Sequence, residues 1–135
     1  MWGGVAAMAG VRLPIITHPL QALVTEPYRP AFDPIVFSSA LLAYVSQSAR
    51  GEFVGGGEID RYTSYSARST YPFLAELSAS FLLLFPWMAN VRILRQWTGT
   101  CDLSPDYSPI MGATSVDGFS ITSGWGTGGF KATPG

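Results

Sequence analysis

Lys131 stands in a stretch whose composition sets it apart, GWGTGGFKATPG, running from Gly124 to Gly135. A lysine ammonium is a compact point charge, and beside apolar groups it can hold an anion such as a carboxylate. The five glycines of the stretch leave backbone bare of side chains, so that it can approach something flat. Trp125 and Phe130 supply large aromatic surface around the cation. A solvated lysine in a loose tail has the same residue types. The two aromatics and the strand-like run before them favour an ordered loop. Gly124, Gly126 and Gly129 match G-x-G-x-x-G literally. The dinucleotide fingerprint also needs a strand before it, a full helix after it and an acidic residue ~20 positions on. The stretch does not meet those conditions.

Few other residues could do chemistry. His18 is the only histidine and Cys101 the only cysteine, so neither a cysteine-built zinc site nor an intrachain disulfide is available. A lone histidine is more often a hydrogen-bonded structural residue than a catalyst. Asp102 and Asp106 lie four apart in a Pro-containing stretch, where turn capping fits better than acid–base work. No Ser-His-Asp, Cys-His or His-Glu set is placed by spacing, and no metal site is expected.

These residues need elements to position them. Pro14 and Pro19 exclude helix around His18, and Leu20 to Thr25 reads as a central strand. Ile35 to Phe37, Ala43 to Gln47 and Glu52 to Val54 read as an antiparallel meander. Gly55, Gly56 and Gly57 then break the pattern, as a bulge or turn, or as a close approach of backbone to a ligand. Phe73, Leu77, Phe81, Leu84 and Met88 share one face of a helix, which Pro86 ends near Phe85. Leu82, Leu83 and Phe85 extend the apolar surface, so the helix is expected to be buried on more than one side. Val91 to Trp97 returns to strand, with Arg92 and Arg95 on opposite faces. Thr98 to Pro109 reads as a loop. Ile110–Met111 and Phe119–Thr122 are the last strands. The fold expected is α+β, a largely antiparallel or mixed sheet with one long helix across one face.

Composition bounds the partners. The 135 residues are 47% hydrophobic and 13% charged, with a formal net charge of −1. That gives no electrostatic footprint for nucleic acid. Free-standing domains usually carry about 25–35% charged residues on their surface, so much of this surface is expected to face other protein. The first residues lack the basic and apolar regions of a secretory signal. The most apolar run, Phe73 to Ala89, is ~17 residues and includes Glu76 and Pro86, short of the about 20 that cross a bilayer. A soluble, cytoplasmic protein is expected.

Three stretches together carry a resemblance: THPLQALVTEP (Thr17 to Pro27), RQWTGTCDLSPDYSPIMG (Arg95 to Gly112) and GWGTGGFKATPG. With the helix running into VRILRQW, they make the chain, from Met8 onward, similar to the β subunit of heterotetrameric sarcosine oxidase. That subunit belongs to the amine- and amino-acid-oxidising flavoproteins related to D-amino-acid oxidase. Dimethylglycine and sarcosine dehydrogenases are near relatives. The resemblance implies FAD as hydride acceptor from the N-methyl group of sarcosine, with hydrolysis of the imine to glycine and formaldehyde. It implies an FMN at an interface with a folate-binding α subunit, and oxygen as the last electron acceptor. Lys131 matches the lysine that pairs with the substrate carboxylate. Gly126 and Gly129 match glycines whose backbone packs on the isoalloxazine, and Arg95 matches an arginine near FMN.

The family's Rossmann fingerprint and its FMN-bearing histidine are not in this sequence. The chain is therefore expected to be an internal-to-C-terminal piece, inactive alone. Residues 1–10 would be a truncated or artificial start and 11–123 the substrate-binding domain. Residues 124–135 would be the flavin-contacting loop, cut at the start of a final helix whose positive end aims at the flavin. The alternative from another class is a non-catalytic remnant or docking module that binds no flavin.

Overall fold

Alternation along a single proline-rich strand organises the sheet. In the computed structural model, which describes residues 2–133, β1 runs from Ile16 to Pro27 and buries Thr17, Pro19, Gln21, Leu23 and Thr25 in strict alternation. The expected Leu20–Thr25 strand thus extends at both ends. The other elements are α1 (Trp2–Met8), β2 (Val36–Ser38), β3 (Ala43–Gln47), β4 (Glu52–Gly56), α2 (Tyr71–Leu84), a 3-10 helix (Pro86–Asn90), β5 (Ile93–Leu103), β6 (Ile110–Ala113) and β7 (Ser120–Ser123). The α+β class with a mostly antiparallel sheet is as expected. Among the described residues no helix is long and apolar enough to cross a membrane.

The chain forms two compact units. The larger comprises Leu20–Asp60 and Ser66–Gly99. Its sheet has the strand order β2-β3-β4-β1-β5, and β2, β3 and β4 form the expected antiparallel meander. Leu23, Val45 and Gly55 share one row across β1, β3 and β4. They face Phe73, Leu77 and Phe81 of α2 in a core completed by Ala43, Phe53 and Met88. Thr70 caps α2, its hydroxyl accepting from the Phe73 amide at 3.4 Å. Gln21, wholly buried on β1, fastens that end of the helix. Its amide nitrogen donates to Asp60 at 2.7 Å and to Thr70 Oγ1 at 3.1 Å, and its oxygen accepts from the Thr70 amide at 2.8 Å. Pro86 ends the α-helix as expected, at the Phe85 cap.

Three expectations need correction here. Leu82 and Leu83 are exposed, Leu83 to 72%, so α2 is buried along one stripe only; its leucines outnumber those the sheet can cover. Gly55 and Gly56 belong to β4, which ends at Gly56, so of the three glycines only Gly57 lies beyond the strand. A Cβ at Gly55 would sit 2.3 Å from Phe81 Cζ and 2.5 Å from the Tyr44 carbonyl oxygen. The glycine there admits helix α2, not a ligand. The irregularity in pairing falls instead between Val24 and Pro27. There the Thr25 hydroxyl accepts from the Phe53 amide at 3.0 Å.

The smaller unit comprises Met1–Pro19, Arg61–Tyr65 and Thr100–Gly135. In it β6 and β7 pair antiparallel, Ile110 opposite Ser123. The expected Thr98–Pro109 loop is the third correction: β5 continues to Leu103, burying Cys101 and Leu103. Its polar residues suggested a loop because they alternate with buried ones along the strand. The loop starts only at Ser104, whose hydroxyl donates to the Ser108 carbonyl at 2.6 Å.

Candidate functional site

From Gly124 to Thr133 the glycine stretch is a hydrogen-bonded turn. Trp125 bridges antiparallel to Leu103, and the Gly126 amide donates to the Asp102 carbonyl at 3.1 Å. The chain then coils tightly, with Gly128 N donating to the Trp125 carbonyl at 2.8 Å and Ala132 N to the Gly128 carbonyl at 3.2 Å. Trp125 Nε1 donates to Thr122 Oγ1 at 2.9 Å, which fixes the indole beside β7. Gly126 has φ +54°, and a Cβ there would reach 3.0 Å from Leu103 Cδ2. It is glycine for reasons internal to the chain. Gly129 is different. Its φ lies outside the left-handed range, and a Cβ there would meet only Trp125 Cβ, at an ordinary 3.6 Å. Phe130 is 92% exposed and Lys131 is exposed beside it.

A cleft of about 600 Å³ opens at this loop, bounded by Val5, Cys101, Asp102, Thr122, Trp125 and Gly126. Ser123 Oγ, at its edge, is buried with no hydrogen-bond partner among the described residues. Burial, reinforced by the charge of neighbouring Asp102, pushes the Cys101 thiol above its ordinary value. A raised thiol holds its proton more tightly, which weakens Cys101 as a nucleophile. Asp102 accepts a hydrogen bond from the Thr17 hydroxyl, and its place on β5 corrects the loop-capping expectation. Asp106 does cap a turn, accepting from the Ser108 amide at 3.0 Å and from Ser104 Oγ at 3.2 Å. Those bonds, the amide first, hold its carboxyl below the ordinary carboxylate value. The two aspartates are therefore separately engaged and make no acid–base pair. His18 is half-buried on β1. Among the described residues no cluster of His, Cys, Asp and Glu could hold a metal.

In the larger unit the sheet has a second face, opposite α2. Phe37, Tyr44, Gly56 and Ala22 stand in one cross-strand row on it. Thr98 bonds Ser69 at the head of α2, at 3.0 Å. Strand alternation then puts Arg95 and Trp97 on the face away from α2. Both are exposed, as are Phe37 and Tyr44. Sequence reading picked out Arg95 but missed the exposed aromatics Phe37, Tyr44 and Trp97 on this face. Their only signal was alternation in short strands whose register the sequence leaves open. The final helix expected after Pro134 lies outside the described residues.

The loop suits a flat ring on one criterion that the structure supplies. It presents bare backbone at Gly129, where no contact among the described residues demands glycine, next to exposed aromatic surface and a cation. Comparison with known proteins bears on the family of the chain. The model of the FAD dependent oxidoreductase family matches residues 1–135. The chain is 45% identical over 130 residues to sarcosine oxidase subunit beta of Rhodobacter capsulatus, covering 96% of this chain and 31% of that protein. It is 43% identical over 130 residues to sarcosine oxidase subunit beta of Arthrobacter sp, covering 96% and 32%. It thus spans about a third of the length of these relatives. The crystal structure of L-proline dehydrogenase from P. horikoshii superposes with TM-score 0.85 at 32% identity, over 96% of this chain and 36% of that one. From its matched length and its fold alike, the chain belongs to the FAD dependent oxidoreductase family.

Proposed function

We propose that this chain is the substrate-side part of a flavin-dependent enzyme that oxidatively demethylates sarcosine to glycine. The observation that carries the reading is the exposed Lys131 in the ordered glycine turn, in a chain 45% identical to a sarcosine oxidase β subunit. Lys131 holds the substrate carboxylate, and so fixes which carbon faces the redox partner. Gly126 and Gly129 let the loop backbone lie against the isoalloxazine. FAD, when bound, accepts the hydride given up by the N-methyl carbon. The larger unit's sheet lies within the substrate domain, residues 11–123, and its face away from α2 carries Arg95. Arg95, exposed on that face, belongs beside an FMN at a subunit interface. The partners are the other subunits of a hetero-oligomer, a folate-binding α subunit among them, in the cytoplasm. The 135 residues by themselves are inactive.

The superposition on L-proline dehydrogenase favours a second reading, a dehydrogenase acting on a related secondary or tertiary amine. Sarcosine and proline are both secondary amines with an adjacent carboxylate, so a lysine hold serves either. The complete flavin-loaded enzyme containing this sequence decides between them. Sarcosine turnover giving equal amounts of formaldehyde and hydrogen peroxide in air supports the first reading. Turnover that needs an added electron acceptor supports the second. Purification without flavin contradicts both.

A further inference from the structure

The turn that carries Lys131 leans on one side chain. A Cβ built at Gly129 would meet Trp125 Cβ at 3.6 Å and Trp125 Cγ at 4.0 Å, and nothing else among the described residues within 4 Å. The backbone two residues before Lys131 thus rests on the base of the Trp125 side chain. The far end of that side chain is held too, by the bond from Nε1 to Thr122 Oγ1 at 2.9 Å. An indole has this single polar handle, and it is a donor. With its base against the turn and its N–H on Thr122, both of its torsions are set. Thr122 is a firm anchor: it belongs to β7, paired with Met111 of β6, and its β-branched side chain has little freedom of its own. The entry to the turn is fastened separately, by the Gly126 amide on the Asp102 carbonyl. Beyond Gly126 the hydrogen bonds of the described residues stay within the turn: Ala132 N to the carbonyls of Gly128 and Gly129 at 3.2 and 3.3 Å, and Thr133 N to the Phe130 carbonyl at 3.3 Å. The Trp125 indole is therefore what ties the far half of the turn to the sheet of the smaller unit.

We propose that Thr122 is a positioning residue: by holding the Trp125 indole it keeps the Gly129 backbone, and with it Lys131, where a substrate carboxylate is met. The inference rests on the reading of Lys131 as the carboxylate hold. A lysine ammonium is a point charge on a flexible stem, so the precision of its hold comes from the backbone that carries it. A glycine-rich turn has little stiffness of its own, and a side chain packed against it supplies some. Thr122 acts through Trp125 and needs no contact with substrate or flavin. A valine at position 122 keeps the shape and the strand preference but accepts nothing from Nε1. The strand then survives, the indole is free to rotate, and the turn loses its support. A serine keeps the acceptor and with it the hold.

The test compares Thr122→Val, Thr122→Ser and Lys131→Met. The chain has four tryptophans, and labelled with 5-fluorotryptophan it gives one fluorine resonance that disappears in Trp125→Phe, which assigns it. Thr122→Val is expected to shift that resonance and Thr122→Ser to leave it in place, both with melting temperatures close to that of the unchanged chain. In the complete flavin-loaded enzyme, losing one neutral hydrogen bond corresponds to about a twofold to tenfold effect. Thr122→Val should lower kcat/KM on sarcosine by such a factor with flavin content unchanged, and Thr122→Ser should not. An N-methyl amine without a carboxylate should be affected far less. In a Lys131→Met background Thr122→Val should cost nothing more, because no ammonium is left to place. These kinetic comparisons stand without Trp125→Phe. A Trp125 resonance that does not move in Thr122→Val, an unaltered kcat/KM on sarcosine, a serine variant as impaired as the valine one, or a full Thr122→Val loss in the Lys131→Met background overturns the positioning role and leaves the Lys131 reading intact. Equal losses on the two substrates in Lys131→Met itself overturn that reading, and the inference with it.

Discussion

Gly126 and Gly129 sit three residues apart in one loop and answer to different constraints. Gly126 holds a left-handed φ against Leu103, so Gly126→Ala should cost the chain itself about 1 kcal/mol or more, read as a lower melting temperature. Gly129 has ordinary backbone and room for a Cβ inside the chain. Gly129→Val should therefore leave the melting of the chain unchanged and remove flavin from the complete enzyme. Normal flavin absorbance in that variant would return Gly129 to a plain turn residue. Asp106 makes a prediction in pH. Its folded carboxyl titrates below the ordinary 3.8, chiefly through the Ser108 amide and then Ser104. A lowered folded value contributes stability that is present above pH 3.8 and is lost as pH falls through the folded value. Asp106→Asn should thus be less stable at neutral pH, with the difference closing in acid, as followed by thermal melts across pH. The order of the loop was legible because two aromatics and a strand-like run accompany its glycines, and Trp125 is indeed bonded to Thr122 and bridged to Leu103. The Tyr44–Gly56 pair was not, because it depends on which residues two strands place opposite each other.

At the scale of elements, α2 shows what periodicity can and cannot reveal. The spacing of Phe73, Leu77 and Phe81 gave the helix and its buried stripe, since that pattern has one geometrical solution. It could not say that Leu82 and Leu83 stay outside, because burial depends on how much sheet lies beneath. Phe81→Ala should lower stability by about 3–5 kcal/mol through transfer and cavity terms, whereas Leu83→Ser should stay within about 0.5 kcal/mol, both measured by denaturant unfolding. Equal effects would mean that the outer stripe is covered by something in solution. Strand β5 was cut short by sequence reading for a related reason. Thr98, Gly99, Thr100 and Asp102 look like loop residues, but pairing beside β1 makes them the solvent side or the hydrogen-bonded side of a long strand.

For the molecule as a whole, low charge and exposed apolar surface coincide. Only 13% of residues are charged, while Ile35, Phe37, Leu83, Leu94 and Phe130 all stand in the open. Expressed by itself the chain should self-associate or depend on a partner, because association removes apolar side chains from water; a monodisperse monomer in analytical ultracentrifugation would contradict that. The proposed function is tested most sharply at Lys131, the residue to which it gives the hold on a carboxylate. In the complete flavin-loaded enzyme, Lys131→Met should keep flavin and fold. Its kcat/KM on sarcosine should fall at least about tenfold to hundredfold, the worth of a charge-assisted contact. An N-methyl amine without a carboxylate, which never used the lysine, should be affected far less. Equal losses on the two substrates would contradict the account.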